Sequence, residues 1–128
     1  MKRIINTEKA PAAVGPYSQA VEVNNTLYIS GQIPIDPATG KFVSETDVKA
    51  QAVQVFKNIE SILEAAGYTF KDVVKSTVLL ADIKDFAAVN EIYATYYNDK
   101  NSLPARAAYQ VANLPMGALV EIETIAAK

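Results

Sequence analysis

Hydrophobic positions change their period along the chain, and each period predicts an element. Between residues 48 and 66 apolar side chains recur every three or four positions, at Val48, Ala52, Val55, Phe56, Ile59, Ile62, Leu63 and Ala66, the stripe of one helix face. Ser44 with Asp47 three residues on resembles a capping pair, and Gly67 suits the left-handed residue after a last turn. One helix is therefore expected over roughly 45–66. A second helical period runs through Phe86, Val89, Tyr93 and Tyr96, with Asp82 or Asp85 placed to cap it, and Leu103-Pro104 returns the chain to extended backbone.

Elsewhere the pattern is that of strands. Residues 18–23 and 26–30 flank Asn24-Asn25, a pair that tolerates positive φ, and predict an antiparallel hairpin. Residues 73–81 form a largely apolar run, read as a strand buried on both faces or at an interface. Residues 106–112 and 119–126 are two closing strands separated by a loop of hairpin length. Residues 31–41 carry Pro34, Asp36-Pro37 and Thr39-Gly40 and read as a loop. With a short strand near residues 3–6, the order is β-β-β-α-β-α-β-β, a single α+β domain over residues 1–128 with a mixed sheet. Two helices on one face would leave the other face, rich in Val, Ile, Tyr and Ala, to be covered by partner subunits.

Composition then narrows the chemistry. Twelve basic against fourteen acidic residues give a net charge of −2, with no basic stripe to neutralise a phosphate backbone, so nucleic acid is not an expected partner. No apolar run approaches the roughly 20 residues of a membrane span, and Asn6 and Glu8 interrupt the N-terminus before a signal sequence could form; no membrane partner and a cytoplasmic location are expected. The chain has no histidine and no cysteine. Ser-His-Asp and Cys-His catalysis and zinc sites built on imidazole or thiolate are thereby removed. What remains is carboxylate, Lys, Tyr, Ser, Arg and backbone amide.

Arg106 opens a β run directly after Leu103-Pro104-Ala105. A guanidinium at a strand end is either an anchor for a small anionic substrate, through two parallel hydrogen bonds, or a surface ion-pair partner. Glu121 and Glu123 fall on one face of the last strand; that face is either solvated or presents a general base to water. Gly15-Pro16-Tyr17-Ser18 and Ser30-Gly31-Gln32-Ile33-Pro34 each combine a turn with a hydroxyl at a strand boundary, and punctuation explains them as well as ligand contact does. Tyr93, Tyr96 and Tyr97 read as core or interface packing rather than a stacking platform, and Asn90 is ambiguous. No phosphate-binding glycine loop is present.

Taken together, Ala10-Pro11-Ala12-Ala13-Val14-Gly15-Pro16-Tyr17-Ser18-Gln19-Ala20, Ser30-Gly31-Gln32-Ile33-Pro34, Asp85-Phe86-Ala87-Ala88-Val89-Asn90, Pro104-Ala105-Arg106 and Glu121-Ile122-Glu123 resemble the RidA (YjgF-type) enamine/imine deaminases over essentially the whole chain. The resemblance implies a chorismate-mutase-like α+β fold, a homotrimer with a central barrel, and active sites in clefts between subunits. It implies cofactor-free hydrolysis of 2-imino acids, such as 2-iminobutanoate and 2-iminopropanoate released by pyridoxal-phosphate-dependent dehydratases, to 2-keto acids and ammonia. By the same resemblance Arg106 holds the substrate carboxylate, Glu121 activates water with Glu123 as second choice, and Tyr17, Ser30, Gly31 and Asn90 line the pocket. Many relatives carry a Cys where this chain has Ala108, whose backbone N–H remains able to bind a carboxylate. A trimeric small-carboxylate-binding module without turnover is the competing expectation.

Overall fold

A computed structural model describes residues 1–128. Strands β1 (Arg3–Ile5), β2 (Ala20–Val23) and β3 (Thr26–Gln32) come first, followed by a two-stranded ribbon of β4 (Ile35–Asp36) and β5 (Lys41–Phe42). Helix α1 (Val48–Ala66), strand β6 (Val73–Leu80), helix α2 (Phe86–Tyr96) and strands β7 (Ala105–Gln110) and β8 (Val120–Ala127) complete the chain. The mixed α+β architecture agrees with the sequence reading. No helix is long and apolar enough to cross a membrane.

The β2–β3 turn forms as expected, with Asn24 and Asn25 at φ 51° and 58°, the doubly left-handed turn that matches strand twist. Helix α1 begins three residues later than predicted. Asp47, not Ser44, is its cap and accepts from the amides of Lys49 and Ala50, while the Ser44 hydroxyl accepts from the Thr46 and Asp47 amides in the turn before it. Gly67 ends α1 at φ 84°. Asp82 caps a single short helical turn that leads into α2, and Asp85 makes no side-chain capping bond. The segment 31–41, read as a loop, instead extends β3 by two residues and folds into the β4–β5 ribbon.

Six strands form one sheet in the order β1-β2-β3-β8-β6-β7. The loop after β7 has hairpin length but makes no hairpin: β8 inserts between β3 and β6, antiparallel to both, and β7 lies parallel to β6 at the sheet edge. The unit β6-α2-β7 is thus a strand–helix–strand crossover, which parallel neighbours require. Leu27, Ile29, Val78, Leu80, Val120, Ile122 and Ala126 face α1 and α2 and are buried with Val55, Phe56, Ile59, Ile62 and Leu63 in one core cluster. The opposite sheet face has no helix. Strand β6 is buried on its helix side alone, and Tyr28 and Tyr109 on the open side remain 48% and 50% exposed.

Candidate active site

The bulge in β3 builds the first half of the site. Register against β8 slips between Ile29 and Gln32, so one extra residue sits opposite β8, the kind of irregularity that re-aims a side chain. Gly31 occupies this stretch, and a Cβ there would overlap the Glu121 carboxylate; the Glu121 side chain lies over a residue that has no side chain. Its neighbours Val120 and Ile122 are fully buried on the helix side, so Glu121 projects from the open face, as does Glu123 two residues on. Desolvation raises the Glu121 pKa above the ordinary carboxylate value, with the Glu123 charge adding to it.

Around Glu121 is a cleft of about 480 Å³ whose walls include Tyr17, Ser30, Gly31, Ile33, Ile35 and Met116. Ser30 is fixed by donating its hydroxyl to Ser18 O at 2.6 Å. The segment over the cleft is pinned by Gln19, whose buried amide accepts from the Thr7 N–H at 2.7 Å and donates to Thr7 O at 3.0 Å and Pro11 O at 2.8 Å. On the far wall, Asn58 of α1 donates to the carbonyls of Ile33 and Ile35. Sequence reasoning gave neither amide a role, although Gln19 stands in one of the motifs that carry the resemblance. Their signal was an amide within or beside an otherwise apolar pattern, where it must find partners.

Arg106 and Asn90 form a separate cluster. Parallel pairing sets Arg106 beside buried Ser76, on the helix side of β7. The guanidinium Nη1 donates to Asn90 Oδ1 at 2.7 Å and its carbon lies 4.7 Å from the Tyr93 ring centre and 5.2 Å from that of Phe86. No carboxylate pairs with it; the ion pairs are Arg3–Glu22, Lys49–Glu91 and Lys71–Asp99. The surface ion-pair alternative for Arg106 is therefore absent, and Tyr93, expected to pack the core, also carries this cation. Ala108 shares the Arg106 face and packs against the core. Because Val111 N–H donates to Leu80 O and strand amides alternate in direction, the Ala108 N–H turns toward the free edge of β7. Tyr17, Ser30, Gly31 and Glu121 are thus brought together, and Arg106, Asn90 and Ala108 are brought together. The two groups occupy opposite sides of the sheet.

The sequence profile of the family described as Endoribonuclease L-PSP matches residues 7–128. The chain belongs to this family, that of the RidA (YjgF-type) proteins. A RidA-family relative from Mus musculus named 2-iminobutanoate/2-iminopropanoate deaminase is 59% identical over 98% of this chain and 91% of its own length. The solved structure of a conserved Rid-family protein from Yersinia pestis superposes with a TM-score of 0.94 at 48% identity, covering all of both chains. That of E. coli TdcF with bound serine gives 0.92 at 40% identity over 98% of each. No three acidic side chains converge into a metal-holding group in this RidA-family chain.

Proposed function

We propose that the protein is a cofactor-free cytoplasmic deaminase, one RidA-like domain that hydrolyses 2-iminobutanoate and 2-iminopropanoate to 2-keto acids and ammonia. The observation that carries this reading is Glu121, a carboxyl held over Gly31 in a largely apolar cleft and kept from ionising as easily as a solvated one, in a chain with no histidine. A base tuned toward neutral pH by desolvation is suited to taking a proton from water. The near-full-length identity to proteins named for this reaction supports it, and a net charge of −2 without a basic stripe argues against RNA as the ligand.

The imine carbon is already electrophilic, so orientation and charge stabilisation supply most of what the reaction needs. Arg106 and the edge amide of Ala108 bind the substrate carboxylate. With the substrate as its protonated iminium, Glu121 takes a proton from water as the water oxygen bonds to C2 and the C=N π pair moves to nitrogen, giving a neutral tetrahedral carbinolamine. The same carboxyl returns that proton to nitrogen and then, as carboxylate, takes the carbinolamine O–H proton while C=O forms and the C–N bond breaks with its electron pair leaving on ammonia, so that the 2-keto acid remains. Tyr17 and Ser30 wall the pocket. Since Arg106 and Glu121 lie on opposite sides of one sheet, the site is completed by a second copy of the chain, in a homotrimer whose open sheet faces line a central barrel.

The bound serine in the E. coli relative favours a second reading, a small-carboxylate-binding regulator without turnover. A serine or threonine dehydratase assay separates the two. Added protein should accelerate 2-keto acid release, and Arg106→Ala should lower kcat/KM on the order of 100-fold. Binding of 2-oxobutanoate without acceleration would select the regulator.

A further inference from the structure

Arg106 stands on an exposed edge strand, where a long cationic side chain ordinarily samples many rotamers and loses that freedom on binding. Here three side chains of one α2 face hold it. Phe86, Asn90 and Tyr93 are spaced by four and then three residues, the repeat of a single helix face. Asn90 Oδ1 takes one guanidinium N–H at 2.7 Å, and the rings of Tyr93 and Phe86 lie 4.7 and 5.2 Å from the guanidinium carbon. Neither Nε nor Nη2 of Arg106 has a protein acceptor, which leaves the pair of parallel N–H bonds that a carboxylate accepts side-on.

Tyr93 is itself immobilised. Its ring meets Phe56 of α1 edge-on at 5.8 Å and Tyr97 at 4.6 Å, so the core ends in the surface on which the guanidinium rests. The Tyr93 hydroxyl is buried on the side of the Ser76 hydroxyl and makes no hydrogen bond to Arg106. The ring, not the hydroxyl, is what Arg106 uses.

The geometry points to Tyr93 as a positioning residue: with Phe86 and Asn90 it forms an aromatic clamp that pre-orients Arg106 for a small monocarboxylate, carrying the rigidity of the core to the edge strand. The inference rests on the reading of Arg106 as the carboxylate anchor. A clamp of this kind acts equally on bound substrate and transition state, so its loss is read in KM rather than kcat.

Two measurements test it, steady-state kinetics in the dehydratase-coupled assay and calorimetric affinity for 2-oxobutanoate. Tyr93→Leu should raise KM and weaken 2-oxobutanoate binding by about tenfold, with kcat within about twofold. Tyr93→Phe should restore both, since it keeps the ring; Phe86→Leu, at a less buried position, should give a smaller change in the same direction. A folded Tyr93→Leu protein with unchanged KM and affinity overturns the clamp, as does a Tyr93→Phe protein that loses as much as Tyr93→Leu. Wild-type protein that binds 2-oxobutanoate, more weakly after Tyr93→Leu, yet hydrolyses no imine would overturn the deaminase reading and leave the clamp standing.

Discussion

Glu121 owes its environment to a residue without a side chain, on whose backbone its carboxylate packs. Gly31 has an ordinary backbone conformation rather than a left-handed one, so its lack of a side chain is required by space: the carboxylate occupies the volume a Cβ would fill. With Glu121 as the proposed base, the pH dependence of the reaction follows. A base works when ionised, and burial, with Glu123 nearby, raises the pH at which Glu121 ionises. Activity should therefore fall on the acid side at a pH above the ordinary glutamate value of about 4.3. Gly31→Ala tests this without backbone strain. The methyl group pushes the carboxyl toward solvent, so the acid limb of the kcat/KM profile should move to lower pH while the rate drops by about tenfold or more. An alanine variant with an unmoved limb and full rate would show that the cleft does not set the base. The face shared by Glu121 and Glu123 was legible from a period of two; the bulge that puts Gly31 beneath one of them was not, because an inserted residue leaves no mark in the hydrophobic pattern.

At the scale of elements, helix α1 was the most legible segment because its stripe is long and its ends carry Asp47 and Gly67. What the stripe concealed is a set of amides that tie the helix to the site. Gln51 lies between Val48 and Val55 on the same face, is fully buried, donates to Ser44 O at 2.8 Å and accepts from Leu119 N–H at 2.8 Å. It fastens the start of β8 two residues before Glu121, and a polar residue within an apolar stripe was the available sign. Gln51→Leu keeps the approximate volume but strands a part-buried amide and a part-buried carbonyl. It should destabilise the fold by about 2–4 kcal/mol, read as a lower denaturant midpoint with an unchanged slope. A midpoint equal to wild type would mean that water satisfies both groups.

For the molecule as a whole, the decisive feature is that the sheet edge carries Arg106 and the open sheet face carries Glu121, each one half of the proposed site. The resemblance implied a site between subunits, but the hydrophobic pattern could not reveal it, since the short loop before β8 fits a hairpin as well as the observed insertion; the strand–helix–strand spacing of β6, α2 and β7 was the sign that β7 pairs with β6 instead. Once β8 lies between β3 and β6, Glu121 and Arg106 fall on opposite sides of the sheet and one chain alone cannot bring them to the same substrate. Complementation follows from that geometry. Arg106→Ala and Glu121→Gln proteins should each keep about a hundredth of wild-type activity or less, yet when co-expressed they should form mixed assemblies in which some sites join an intact Arg106 from one copy to an intact Glu121 from its neighbour. With random mixing in a closed ring of equal amounts, about a quarter of the sites are intact, so about a quarter of wild-type activity should return. Light scattering on the same sample should give about three times the 13.8 kDa chain mass. No recovery from a properly mixed assembly would place both residues of a working site in one chain and overturn the shared site.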